Sequence, residues 1–212
     1  MPGQMRGVYV ILDPSVVKGI PLKVAEDVLA GGARIIQWRD KVRDKGDQII
    51  ECEYLRGLCD QYEAFFIIND HVDLAIASRA DGVHLGQHDL PVNIARTLLG
   101  PDMIIGKSNA LVNEALEAQS QGSDYVAVGA IFPTQTKSNT RPAGLETLTR
   151  VRQIVSGPIV AIGGIKESNA AQVIEAGADS IAVITAVLHA DDPRKATRRL
   201  VDRVNYALDM RA

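Results

Sequence analysis

Apolar residues in this chain gather in short Val/Ile-rich runs without polar alternation, and each run stops abruptly at polar or glycine-rich positions: IIQWRDK, FFIIND, VHLGQHD, MIIGKSN, VAVGAIFPTQTK, IVAIGGI and IAVIT. Runs of this kind read as strands buried on both faces. Eight strands are predicted, at residues 6–12, 33–38, 65–69, 81–85, 102–106, 124–129, 158–162 and 179–183, with amphipathic stretches of helical length between most of them. A weak internal echo supports the spacing. Gly32-Ala33-Arg34, Ala80-Asp81-Gly82, Gly122-Ser123-Asp124 and Gly177-Ala178-Asp179 each stand just before a strand, where a helix must end and the chain must turn tightly. The repeating unit is strand then helix. Eight such units of about 25 residues fit an α/β fold of the small (β/α)8 barrel type, with functional groups on the loops that follow the strands. An open doubly wound sheet is the structural alternative, but it calls for fewer strands and one nucleotide-binding turn. Neither GxGxxG nor GxxxxGKS occurs.

Composition narrows the class. With 46% hydrophobic and 23% charged residues among 212, the chain can bury a large core as one domain over residues 1–212. No apolar stretch reaches the roughly 18–20 residues of a membrane span, and no signal-like block opens the chain. A net charge of −3 argues against a nucleic-acid surface, which needs a basic stripe. Arg194, Lys195, Arg198 and Arg199 recur at helical spacing and read as a solvated face. Cys52 and Cys59 stand two helical turns apart, about 10 Å, too far for a disulfide. Buried thiols in a reducing cytoplasm are expected. Oligomeric state leaves no readable trace, and a homo-oligomer is compatible with the sequence.

The candidate chemistry lies at the strand ends. Gln37, Arg39 and Lys41 alternate after the second strand, so the three side chains point one way. Arg and Lys together suit a diphosphate, and Gln can donate to and accept from the edge of a heterocycle; the alternative is a solvated charge cluster. Asn69 and Asp70 end the third strand, and Asp89 follows the fourth in Gly86-Gln87-His88-Asp89. Two carboxylates facing bound phosphate can hold Mg²⁺, unless Asp70 only caps a helix starting near His71. His71 and His88 lack zinc-site spacing and read as surface or helix-start residues, while His84 reads as a hydrogen-bonded core or lumen histidine. Ser108 and Asn109 end the fifth strand, and no GxSxG elbow makes Ser108 a nucleophile. Thr134, Thr136 and Lys137 form a phosphate-cradle pattern inside a long irregular stretch, about residues 130–144, that suits a lid; such loops also occur without a ligand. Gly163-Gly164 and Ile184-Thr185 close the seventh and eighth strands, where barrels of this type build their phosphate site. Two anion subsites follow, one at Arg39, Lys41 and the carboxylates, the other at Gly164 and Thr185.

The runs QWRDK, IIND, GVHLGQHD, GKS, PTQTK, AIGGI and GADSIAVITAV, in this order along nearly the whole chain, closely resemble the thiamine phosphate synthase family. The resemblance implies a Mg²⁺-dependent (β/α)8 barrel enzyme. It transfers the 4-amino-2-methylpyrimidin-5-ylmethyl group from its diphosphate to the ring nitrogen of a thiazole monophosphate, giving thiamine phosphate and diphosphate. It further implies that Gln37, Trp38, Arg39, Asp40, Lys41, Asn69, Ser108 and Lys137 contact the pyrimidine diphosphate, with Arg39, Lys41, Ser108 and Lys137 catalytic. Asp70 and Asp89 then bind the metal, and Thr134, Gln135, Thr136, Gly164, Ile184 and Thr185 hold the thiazole phosphate. The partners are thus two small phosphorylated heterocycles, with no nucleic acid and no membrane. Two positions depart from the family pattern: His88 precedes the second metal Asp where an acidic residue often stands, and Asn109-Ala110 follow the Ser where a small residue and then His or Tyr often stand. No side chain looks like a dedicated nucleophile, so the expected course is ionisation of the C–O bond before capture. Two other readings are a thiazole tautomerase on the same barrel, which would need an acid/base such as a His at Ala110, and a non-catalytic phosphate-metabolite binder.

Overall fold

The computed structural model describes residues 5–134 and 141–211. Eight parallel strands close into a barrel in sequence order: β1 (Gly7–Leu12), β2 (Ile35–Trp38), β3 (Phe65–Asn69), β4 (Gly82–Leu85), β5 (Ile104–Asn109), β6 (Tyr125–Val128), β7 (Ile159–Ile162) and β8 (Ser180–Val183). Between them, and after the last, run α1 (Pro21–Ala30), α2 (Lys45–Gln61), α3 (Val72–Ala77), α4 (Val92–Leu99), α5 (Val112–Ser120), α6 (Gly144–Ile154), α7 (Ala170–Glu175), α8 (Thr185–Leu188) and α9 (Pro193–Arg211). The expected (β/α)8 barrel is the fold observed. No helix of the described residues is long and apolar enough to cross a membrane.

The strands lie where the apolar runs place them, with one informative difference. The fifth run was expected to end at residue 106, because Lys107, Ser108 and Asn109 break its apolar character. The backbone ladder continues regardless: Lys107, Ser108 and Asn109 pair in register with Val126, Ala127 and Val128. Ser108 is therefore held by a strand and not by a loop.

The echo before the strands has a structural cause. Asp81, Asp124 and Asp179 each accept a hydrogen bond from a backbone N–H at the start of the preceding strand, at Phe66 (2.6 Å), Ile105 (2.7 Å) and Ile159 (2.9 Å). Each also pairs with an Arg of a preceding helix: Arg56 of α2, Arg96 of α4 and Arg152 of α6. One carboxylate thus satisfies an otherwise orphaned strand donor and clamps a helix to the underside of the barrel. Arg211 adds a second cation to Asp179, tying the end of α9 to the same ring. The buried face of α9, with Leu200, Val204 and Leu208, lies against α1 and α7. Arg194, Lys195, Arg198 and Arg199 stay exposed. Cys52 and Cys59 are free and fully buried in α2, and burial pushes both thiols up to about 12.

Asp124→Ala removes the acceptor for Ile105 N–H and the partner of Arg96 together. The expected loss is about 1–3 kcal/mol, the cost of leaving a buried donor unpaired, read as a lower urea midpoint with an unchanged m-value.

Candidate active site

A cavity of about 790 Å³ opens at the C-terminal ends of the strands, and every strand contributes at least one residue to its wall. The wall has two halves. Gln37, Asn69, His84 and Ser108 come from β2 to β5 and are polar; Ile11, Ala127, Ile162 and Ala182 come from β1 and β6 to β8 and are apolar. An apolar surface with polar groups gathered on one side suits a planar heterocycle carrying a charged substituent.

The charges sit above the polar half. Arg39 pairs through Nη1 with Asp13, whose other carboxylate oxygen accepts from Ser15 N–H (3.0 Å) and Ser15 Oγ (2.6 Å). Asp13 is buried, and among the described residues Arg39 Nε has no hydrogen-bond partner despite being buried. The guanidinium is oriented but not saturated. Lys41 Nζ lies 2.9 Å from Asp70 Oδ2. Asp70 adopts φ 63°, a left-handed conformation that Asp tolerates better than most residues, and its N–H donates to the His84 carbonyl at 2.8 Å. No side-chain bond caps α3, so Asp70 does not serve as its cap.

Asp70 and Asp89 meet side chain to side chain. Burial raises the Asp70 carboxyl, but the hydrogen bond from Asp89 and the Lys41 ammonium outweigh it and hold that group below the usual carboxylate range. For Asp89, burial, the bond to Asp70 and the Asp70 charge all push upward, so Asp89 holds its proton more tightly than Asp70 does. Asp89 Oδ2 also accepts from Gly86 N–H at 2.6 Å. Among the described residues no group of three or more His, Cys, Asp or Glu gathers as a metal cluster. The Asp70–Asp89 pair brings two acidic groups together beside the cavity.

Across the cavity, Gly163 (φ 102°) and Gly164 (φ 62°) turn the chain after β7. A Cβ on Gly163 would lie 2.6 Å from that of Ala130, and one on Gly164 would lie 2.6 Å from the Pro133 carbonyl. Both positions need glycine for conformation and for space. The loop after β6 is docked here, with Ile131 N–H donating to the Ile162 carbonyl (2.9 Å) and Phe132 N–H to that of Gly163 (3.0 Å). Thr134, Gly164, Ile184 and Thr185 all line this side, with Arg141 and Lys166 as further cations. Arg141 is steered by Glu114 at 2.7 Å, which also accepts from Ala110 N–H at 2.8 Å at the start of α5.

The expected site residues thus fall into three groups. Gln37, Arg39, Lys41, Asn69, Ser108, Thr134, Gly164, Ile184 and Thr185 line one cavity, with Asp70 and Asp89 at its edge. Trp38 and Asp40 do not belong there. Trp38 faces outward, fully buried, and donates from Nε1 to Gln48 of α2 at 2.9 Å. Asp40 accepts from Val42 N–H (2.9 Å), Arg43 N–H (3.2 Å) and Arg43 Nε (2.6 Å). The two-residue period that brings 37, 39 and 41 inward turns 38 and 40 away, where they build the loop carrying the two cations. Gln135, Thr136 and Lys137 lie outside the described residues. His71 precedes α3 as expected, and exposed His88 stands on the rim of the cavity. Sequence reasoning missed Asp13 and Ser15; their signal was an acidic residue directly after the first strand, in LDPS, the position Arg39 and Asp70 occupy in later units.

Fold and pocket together define a (β/α)8 barrel with a two-part polar pocket at the C-terminal ends of its strands. The chain belongs to the thiamine monophosphate synthase family, which residues 8–187 match. It is 45% identical over 198 residues to a thiamine-phosphate synthase of Methanospirillum hungatei, covering 92% of this chain and 96% of the relative. To a thiamine-phosphate synthase of Chlorobium limicola it is 49% identical over 183 residues, covering 85% and 87%. The solved structure of thiamine phosphate pyrophosphorylase from Pyrococcus furiosus superposes with a TM-score of 0.91 at 40% identity, over 97% of this chain and 98% of that one.

The floor of the cavity depends on Gly106, where an added Cβ would collide with the Tyr125 phenol from the next strand. Gly106→Ala is expected to displace that ring and to cost about 1–3 kcal/mol through overpacking, measured by urea unfolding.

Proposed function

We propose that this chain transfers the 4-amino-2-methylpyrimidin-5-ylmethyl group from its diphosphate to the nitrogen of 4-methyl-5-(2-phosphooxyethyl)thiazole, yielding thiamine phosphate and diphosphate. The observation that carries the reading is the divided cavity: Arg39, Lys41 and the Asp70–Asp89 pair flank a polar wall, while Gly164 and Thr185 lie on the apolar side. That arrangement supports a diphosphate on one side, a monophosphate on the other and two rings between them.

In this mechanism the C–O bond to diphosphate breaks and the electron pair leaves with the diphosphate. The aminopyrimidine delocalises the methylene cation, and the thiazole nitrogen donates its lone pair to form the C–N bond. Arg39 and Lys41 stabilise the charge that accumulates on the leaving group, and Lys137 is assigned the same task by family resemblance. Asn69 and Ser108 orient the diphosphate, and Gln37 the pyrimidine edge. Thr134, Gly164, Ile184 and Thr185, with Gln135 and Thr136 by resemblance, hold the thiazole phosphate. Holding both partners in near-attack geometry supplies much of the acceleration. Asp70 and Asp89 fit Mg²⁺, which takes one or two carboxylates together with phosphate oxygens; when bound, it adds positive charge against the departing diphosphate. The two buried free thiols fit a reducing cytoplasm.

Purified protein incubated with both phosphorylated heterocycles and Mg²⁺ is expected to give the coupled product by mass and to release diphosphate. Excess chelator should abolish both. Substrates recovered unchanged at full metal would refute the transferase and leave a tautomerase or a binder, neither of which releases diphosphate. Asp70→Ala is expected to slow single-turnover coupling about a hundredfold or more, the typical effect of losing one preorganised electrostatic contact, while its circular dichroism spectrum stays that of the parent. A near-normal rate would remove the electrostatic assignment.

A further inference from the structure

Beneath the cavity a chain of five hydrogen-bonded side chains crosses the lumen, and its three inner members have no role in the reading above. Gln37 Nε2 donates to Tyr9 Oη at 2.7 Å. Tyr9 Oη lies 3.1 Å from Tyr125 Oη, which lies 2.9 Å from His84 Nδ1; His84 Nε2 in turn lies 2.8 Å from Ser108 Oγ. Both tyrosines are only 1% exposed, and the His84 ring stacks on Tyr125 at 5.6 Å between centroids. Gln37, His84 and Ser108 line the cavity, whereas Tyr9 and Tyr125 do not.

Counting protons gives the chain a direction. Burial raises both phenols well above their ordinary range, so each keeps its single proton at neutral pH. Tyr9 Oη already accepts from Gln37. Were Tyr125 to donate to Tyr9, the Tyr9 proton would be left without an acceptor in this buried set, an arrangement folded proteins avoid. Tyr9 therefore donates to Tyr125, and Tyr125 donates to His84 Nδ1. That nitrogen can accept only if the imidazole is neutral with its proton on Nε2. The Nε2–H then donates to Ser108 Oγ, which leaves the serine's own proton for the cavity.

We propose that Tyr125 is a positioning residue that locks His84 as the neutral Nε2–H tautomer and thereby makes Ser108 a one-way hydrogen-bond donor into the cavity. A serine hydroxyl alone can donate or accept; one already accepting from His84 is biased towards an acceptor ligand, such as an anionic oxygen. The identity of that anion as diphosphate rests on the synthase reading. The direction of the chain does not.

The test uses the full chain labelled with ¹⁵N-histidine and free of ligand, with long-range ¹H–¹⁵N imidazole spectra and the His84 signals assigned by their loss in His84→Asn. The expected result is a neutral ring with Nε2 protonated and Nδ1 bare. A ring protonated on Nδ1, alone or together with Nε2, would overturn the proposal. Tyr125→Phe should lose the single tautomer and weaken binding of inorganic diphosphate with Mg²⁺, read by calorimetry, about tenfold, the effect of one hydrogen bond to a charged oxygen. Tyr9→Phe should keep the tautomer, since Tyr125 still donates to His84. Unchanged diphosphate affinity in folded Tyr125→Phe contradicts the proposal, and if that variant does not fold, the parent spectrum alone decides. A parent protein that shows the expected tautomer but forms no coupled product would refute the synthase reading and leave the chain's direction standing.

Discussion

In a closed eight-stranded barrel every inward side chain competes for the same lumen, and this shared space governs what the mouth can present. Tyr9 and Tyr125 fill the middle edge to face, with centroids 6.3 Å apart and planes at 66°. Gly106 yields the room that Tyr125 occupies. The layer above is then restricted to side chains these phenols can support: Gln37 and His84 bond directly to them, and Ser108 bonds to His84. Three of the four polar wall residues are thus fixed from below as well as by their strands. A site assembled in this way loses little entropy when a ligand arrives.

Most of the fold was legible because strands buried on both faces leave continuous apolar runs, and seven of them end in chemically distinctive groups. Period-two alternation identified Gln37, Arg39 and Lys41 as a set, and the same alternation excludes Trp38 and Asp40, which family resemblance alone had kept. The floor was not legible. Tyr9 within GVYVIL and Tyr125 within YVAV look like ordinary strand residues, and their contact spans 116 positions of sequence. Asp13 was hidden for a related reason: its partner Arg39 is 26 residues away, and no local pattern couples a carboxylate at one strand end to a guanidinium at the next.

Carboxylate–cation pairs occur at both ends of the barrel, and comparing them separates stability from function. On the underside Asp81, Asp124 and Asp179 each accept a strand N–H and an Arg, so one carboxylate completes both the ladder and the helix clamp. A buried Nε without a partner occurs at both ends among the described residues, at Arg39 and at Arg56, so it does not separate them; at the mouth Asp70 also sits in a left-handed conformation, and Asp89 is pressed against a second carboxylate that raises its proton affinity. Unsatisfied donors, backbone strain and like charges in contact each destabilise a ligand-free fold. On the proposed function, an anion meets the open donor of Arg39 and a cation offsets the repulsion between the carboxylates. The underside carboxylates thus face strand donors and guanidinium groups, whereas the mouth sets one carboxylate against another beside the cavity.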